Sequence, residues 1–497
     1  MRRLVLALAA LGTALALLAG CGAKGTLKPD VPPETTIFVQ GPVDTVNHNV
    51  HLYWFGTDPD GYVRAFEVRL LNPSQPADTA WAFTTKTDSV FNVYTPAGFT
   101  APVLEVRAID DAGLRDPTPA RQAFKFRNLP PIVTLLNRHR MADTTYASVT
   151  LGWSASDPDG DGTKLRFLVW LDGNEGSKDL VTGSSYTIPT QQFLQGGALL
   201  TGPRQMFIQA IDDGGMLSAI DSTRWMVRSP GTGGRHPNMG RLLLIDDVPT
   251  VYSQNFTTDT LYYNTAARNL LPGQYSILQL QFTNPFRSQA DMEQTFGLFD
   301  AVVWYIGGSS TLATFEATLN TYQDAVKTYL GSGGSIYLDG TDLIDAPHAR
   351  GPLDNDFVTD YLGSDFLFQY WSETLVDSTA GWGLANPSWL VTPLGDSLRV
   401  QQQGSLSTST GVLRCFGVRD TSYVIAWAPP GNNLVPPGRL PFKVPVAVSV
   451  PQPAGGRMVV VTFPFRAACG PATPQPYRGN ATRFLARAFQ QMGLTTP

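Results

Sequence analysis

Leu52-Tyr53-Trp54-Phe55-Gly56-Thr57-Asp58-Pro59-Asp60-Gly61 returns, with the same landmarks, as Leu151-Gly152-Trp153-Ser154-Ala155-Ser156-Asp157-Pro158-Asp159-Gly160. Downstream, Val106-Arg107-Ala108-Ile109-Asp110-Asp111-Ala112-Gly113 is matched by Ile208-Gln209-Ala210-Ile211-Asp212-Asp213-Gly214-Gly215. The offset is 99 residues from Trp54 to Trp153 and 102 from Asp110 to Asp212. A near-constant offset between distant landmarks marks a duplicated domain. Each copy has short alternating runs, such as Val63 to Leu70 and Leu165 to Leu171, broken by Gly, Pro and Asp. That pattern predicts two β-sandwiches, 34–128 and 129–229, with Trp54 and Trp153 turned inward. Asp-Pro-Asp-Gly supplies a turn: Pro fixes one φ, Gly accepts a positive one, and Asp bonds nearby amides.

These segments resemble fibronectin type III and related immunoglobulin-like modules of bacterial surface proteins. The resemblance implies spacers or binding modules, not catalysts. Asp157, Asp159 and Asp161 alternate ahead of Gly162 as in the start of a calcium loop. The twelfth position is Leu168, where a calcium loop of the EF-hand kind needs a bidentate Glu, and the first copy has Tyr62 in place of Asp161. A plain polar turn is therefore the favoured reading, with calcium as the alternative and no other cofactor expected.

Ser229 to Met239 reads as a linker (230–239), and beyond it the pattern changes. Leu242 to Ile245, Tyr275 to Leu280, Ala301 to Ile306, Ser335 to Leu338 and Met458 to Phe463 are apolar runs of strand length. Between them, Asp259 to Leu270 and Phe315 to Leu330 carry apolar residues at helical spacing. Asn480 is placed to cap a last helix that ends at Gly493. Strands alternating with amphipathic helices predict a three-layer α/β domain at 240–497 with a mostly parallel sheet. A β-rich insertion is expected at about 370–450. The fold class is thus multidomain: two all-β sandwiches, then one α/β domain.

The third domain resembles the class I glutamine amidotransferase-like superfamily, a flavodoxin-like sandwich. The likeness rests on Leu242 to Asp247, on Phe299-Asp300-Ala301-Val302-Val303-Trp304, and on Tyr329-Leu330-Gly331-Ser332-Gly333-Gly334-Ser335-Ile336. The resemblance implies a nucleophilic cysteine directly after the Ser335 to Leu338 strand. Here that turn reads Asp339-Gly340-Thr341-Asp342, and the one histidine of 240–497 is His348. Cys469 follows the last strand, where the family would place a histidine. A thiolate nucleophile needs a histidine base, so no triad can be assembled and a degenerate, binding-type domain is expected. The acidic pair Asp246-Asp247 also resembles that of receiver domains, but Tyr305 and Ile306 stand where a phosphoacceptor would, which rejects that reading. Asp246, Asp247, Asp339 and Asp342 fall at carboxyl ends of strands, where doubly wound sheets bind ligands. They are candidates for a cation or sugar site, against the plainer role of capping orphan amides.

At the other end, Arg2 and Arg3 precede an apolar run from Leu4 to Leu18, then Leu18-Ala19-Gly20-Cys21. A charged start with a short apolar core is an export signal, too short to span a bilayer comfortably. The ending resembles the lipobox of bacterial lipoproteins. That implies a signal peptide at 1–20, a diacylglyceryl thioether on Cys21, and a lipidated tether at 21–33. Gly22 rather than Asp at the next position points, by that family's sorting rule, to the outer membrane of a two-membrane envelope.

Loss of Arg2 and Arg3 takes the formal charge from −5 to −7, and no basic run exists, which argues against nucleic acid as partner. Expected partners are the bilayer through Cys21 and an envelope protein or glycan. Cys415 and Cys469 remain, either as a disulfide or as two separate thiols. The functional expectation is a non-catalytic, membrane-anchored envelope lipoprotein. The alternatives are a hydrolase or amidotransferase-like enzyme using a carboxylate site, and a structural component of an envelope assembly.

Overall fold

A computed structural model describes residues 28–38, 46–47, 49–136, 138, 144–247, 253–279, 286–305, 314–339, 356–371, 388–391, 397–400, 413–428, 431–434, 437–440, 444–463 and 477–495. The signal segment, Cys21, Asp342, His348 and Cys469 lie outside the described residues.

The first repeat folds as two facing sheets. Strands β1 (Glu34–Phe38), β2 (Asn49–Thr57) and β5 (Asp88–Asn92) form one, in the order β1-β2-β5. Strands β3 (Val63–Leu71), β4 (Ala82–Thr84), β6 (Val103–Asp110) and β7 (Ala120–Ala123) form the other, in the order β4-β3-β6-β7. The second repeat does the same. Strands β8 (Ile132–Leu136), β9 (Val149–Ser156) and β12 (Ser185–Ile188) face a sheet containing β10 (Arg166–Leu171), β11 (Asp179–Val181), β13 (Gly202–Ile211) and β14 (Asp221–Val227). Registers repeat as well: Ile37 opposes Trp54 as Leu135 opposes Trp153, and Phe66 opposes Ala108 as Phe167 opposes Ala210. Strand alternation sends every second side chain inward, which buries Leu52, Trp54, Leu104 and Val106 together.

The remaining chain builds a nine-stranded sheet. Its first half comes from β15 (Gly240–Asp246), β16 (Tyr275–Gln279), β17 (Phe299–Tyr305), β18 (Ser335–Asp339) and β27 (Arg457–Val461). They lie in the order β16-β15-β17-β18-β27, all parallel. Taken by chain order this is 2-1-3-4-5, a doubly wound arrangement. Helices α1 (Ser253–Leu270) and α4 (Tyr477–Gln491) bury Tyr263, Ala267, Phe484, Leu485 and Phe489 on the face bearing Leu242, Leu244 and Val303. Helices α2 (Gln289–Phe296) and α3 (Thr314–Gly331) place Met292, Phe296, Ala325, Val326 and Leu330 on the face bearing Leu243, Ile245 and Trp304. Burial on both faces is why these strands are apolar throughout rather than alternating.

Two sequence expectations need correction. The sheet is mixed rather than mostly parallel, because the 370–450 region joins it instead of standing apart. Strands β20 (Ser388–Val391), β21 (Ser397–Val400), β23 (Val424–Ala428) and β26 (Val444–Pro451) continue it past β27 in the order β26-β23-β20-β21, every pairing antiparallel. Antiparallel neighbours need no crossover helix, so no helical signal announced them. The same region also gives a separate four-stranded sheet from β19 (Ser364–Trp371), β22 (Leu413–Val418), β24 (Gly431–Leu434) and β25 (Pro437–Leu440). Second, α4 begins at Tyr477, so Asn480 sits inside the helix, where its side chain accepts from Arg483 rather than capping.

The second sandwich and the α/β unit share one continuous apolar core, from Leu151 and Trp153 through Phe299 and Trp304. Polar contacts stitch the seam. Ser148 donates to Asp291 at 2.9 Å, and the hydroxyls of Thr150 and Thr187 meet that of Ser288 at 2.8 and 2.9 Å. Residues 230–239 are part of this seam. Arg235 donates through its backbone and Nε to Asp300 and through Nη1 to the Gly333 carbonyl at 2.8 Å, while Gly234 N bonds the Met239 carbonyl.

Candidate functional site

The carboxyl edge of the parallel strands is where the sequence placed a site. Register sets Asp246 beside Tyr305 and Tyr305 beside Asp339, so the three stand in one row across β15, β17 and β18. Side-chain alternation turns that row toward α1 and α4, since Leu242, Leu244, Val303 and Tyr337 share its face. Asp246 and Asp339 are each 1% exposed and Asp247 3%. Carboxylates so buried need partners.

Helix α1 provides one. Tyr263 is fully buried, its ring stacked on Tyr305 at 4.3 Å between centroids and its hydroxyl donating to Asp339, with Tyr337 Oη at 3.4 Å. Burial first, then the charge of Asp339 and the neighbouring Tyr337, pushes the Tyr263 phenol well above the ordinary tyrosine value, so it remains a donor. Asp247 faces the opposite layer, accepting from Trp304 Nε1 at 3.3 Å, while its backbone N–H bonds the Tyr305 carbonyl. That last bond ties the ends of β15 and β17, the pair between which the strand order reverses. Asp246, Asp247 and Asp339 are thus brought to one edge but embedded in it. Asp342 lies outside the described residues.

Tyr263 falls within the helix that the sequence predicts over Asp259 to Leu270, but helical spacing does not disclose its bond to Asp339. The two are 76 residues apart, and only the closing of α1 over the sheet brings them together.

The Asp157, Asp159, Asp161 run forms a hydrogen-bonded turn. Asp157 accepts from Asp159 N at 3.3 Å, and Asp159 accepts from Leu129 N. Asp161 caps the 3-10 turn Gly162–Lys164, accepting from the Thr163 backbone and hydroxyl, and those bonds hold its carboxyl below the usual range. The second sandwich also has an open cavity of about 330 Å³ lined by Asp172, Pro203, Arg204, Gln205, Phe207 and Arg224. Its charges are largely spent internally: Arg204 pairs with Asp172 at 2.8 Å and Arg224 Nε donates to Gln205. Cys415 is buried on β22, opposite Phe368; Cys469, with which it forms either a disulfide or a pair of separate thiols in the sequence reading, lies outside the described residues. Among the described residues, no helix is long and apolar enough to cross a membrane.

No protein-family profile matches the sequence, and no curated protein does. Among solved structures, the fibronectin(III)-like modules of Clostridium thermocellum CbhA align at 17% identity, covering 39% of this chain and 94% of that one, with a TM-score of 0.18. The FN1–FN3 domains of chicken CNTN1 align at 13% identity, covering 45% and 69%, with a TM-score of 0.16. At such scores the sandwich assignment rests on strand order and register, not on these neighbours.

Proposed function

We propose that the chain is a non-catalytic, membrane-anchored envelope lipoprotein. In it two fibronectin type III-like sandwiches carry a binding-type α/β unit descended from the glutamine amidotransferase-like superfamily. The lipid attachment is supported by Leu18-Ala19-Gly20-Cys21 after a short apolar run. The observation that carries the non-catalytic reading is Tyr263 closing over Asp339 at the strand edge where the family's enzymes work. An envelope protein or glycan is the partner class, reached from a bilayer held through Cys21.

Two measurements on the purified full chain test this. Partition between detergent-rich and aqueous phases places the wild type with detergent and Cys21→Ser in water; a wild type found in water refutes the anchor. A screen of ester, amide and glycoside substrates finds no turnover; turnover abolished by Asp339→Asn refutes the non-catalytic reading.

A further inference from the structure

The outer faces of the two sandwiches carry different chemistry on one frame. By register, Arg69, Glu105 and Ala123 of the first correspond to Trp170, Phe207 and Arg224 of the second. In the first, Arg69 and Glu105 form an ion pair at 2.6 Å. In the second, the rings of Trp170 and Phe207 stack instead, 5.5 Å between centroids and 13° from parallel. Leu71 and Val103, which oppose each other in the first, become Asp172 and Gln205. The same sheet therefore closes without the second sandwich's set, so the fold alone does not demand those residues.

Phe207, Arg224, Asp172 and Gln205 line the open cavity of about 330 Å³, together with Pro203 and Arg204. That volume is at the low end of small-ligand sites, about 300–1,000 Å³. Strand β10 ends in a turn where Asp172 and Gly173 both take positive φ, 53° and 70°, a conformation that Asp and Gly tolerate. The turn brings the Asp172 carboxylate to β13, where it accepts from Gln205 N at 3.0 Å and from Arg204 Nη1 at 2.8 Å. Arg204 Nη2 donates to the Thr201 carbonyl, but Arg204 Nε is buried with no hydrogen-bond partner. Arg224 is exposed and gives only its Nε, at 2.7 Å, to the neutral amide of Gln205. Among the described residues neither Nη of Arg224 has a bond. Arg204 and Arg224 against Asp172 leave the wall one positive charge in excess, beside the apolar surface of Phe207 and Pro203.

A guanidinium with both Nη groups unbonded presents the paired N–H donors that match a carboxylate. The orphan Arg204 Nε behind the wall adds to the demand for negative charge in the cavity. Asp172 keeps lone pairs for hydroxyl donors, and Phe207 with Pro203 can cover the C–H face of a ring. We propose that this cavity binds one uronic acid residue of an envelope glycan. The sugar's carboxylate sits on Arg224 within the field of Arg204, its ring lies against Phe207 and Pro203, and a hydroxyl donates to Asp172. A simple anion would leave the apolar wall uncovered, and a neutral sugar would leave the excess charge unmet. The inference rests on the glycan reading proposed above, and it puts recognition on the second sandwich rather than on the α/β unit.

The test is titration of the purified full chain with D-glucuronate and D-galacturonate, followed by calorimetry and saturation-transfer NMR, against D-glucose, D-galactose and acetate. The expected result is one uronate per chain with a dissociation constant on the order of 1 mM. Each neutral sugar, and acetate, binds at least about tenfold more weakly. Arg224→Ala, at an exposed position that does not threaten folding, weakens uronate binding at least about tenfold. Arg166→Ala, exposed on the same face but outside the cavity, leaves it unchanged. If neither uronate shows saturable binding up to about 20 mM, the proposal is overturned. Acetate or a neutral sugar binding as tightly as the uronate overturns it too. So does wild-type affinity in a folded Arg224→Ala protein, or loss of binding in Arg166→Ala. None of these outcomes depends on Cys21, so this proposal and the lipid anchor fail separately.

Discussion

Glu67 illustrates how single side chains hold the first sandwich. Its carboxylate accepts from Arg115 and from Arg107, the latter at 2.6 Å, and the Arg115 bond is the largest influence lowering its pKa. A carboxyl whose folded pKa is depressed contributes stability above its unfolded pKa and loses it as pH falls through the folded one. Glu67→Gln should therefore cost about 1–2 kcal/mol at neutral pH and almost nothing in acid below the folded pKa. Urea midpoints across pH check this; a pH-independent penalty contradicts it. Asp300 is more exacting. It is 6% exposed and accepts from Arg235 and Arg241, so Asp300→Asn leaves two guanidinium groups short of a counter-charge. The expected loss is about 3 kcal/mol, read from the same denaturation curves. At this scale the sequence discloses local chemistry only. Trp54 and Trp153 are legible as inward residues because strand period dictates it. Asp161 looks like a calcium ligand by spacing and acts as a cap, since the adjacent Thr163 N–H and hydroxyl offer it nearer partners.

Helix α2 shows an element serving two units. Ser288 caps it, accepting from Asp291 N at 3.0 Å, and the same hydroxyl meets Thr150 and Thr187 of the second sandwich. Ser288→Ala should cost about 1–2 kcal/mol and speed amide exchange in both α2 and β9, read by hydrogen-exchange mass spectrometry; a change confined to α2 contradicts the shared role. The repeated strands and the alternating strands and helices of 240–345 are readable because period and turn residues agree there. The antiparallel half of the large sheet is not. Its strands are antiparallel and need no crossover helix, and their apolar runs carry no sign of which edge they join. The residues 230–239 read as a linker for a similar reason: Gly and Pro mark an irregular backbone, but not the bonds from Arg235 to Asp300 and Gly333 that fasten it.

For the whole molecule, the shared core makes the second sandwich and the α/β unit one cooperative body. Exchange of β9 and β17 amides should collapse at a common denaturant concentration, whereas the first sandwich, with its own core, is free to unfold apart. Separate transitions for β9 and β17 contradict this. The envelope role proposed for that body requires a lipidated amino terminus. The decisive measurement is mass spectrometry of the native chain's amino-terminal peptide. A peptide beginning at Cys21 with a diacylglyceryl thioether on its sulfur is the expected result. A chain still beginning at Met1, or an unmodified Cys21, contradicts it.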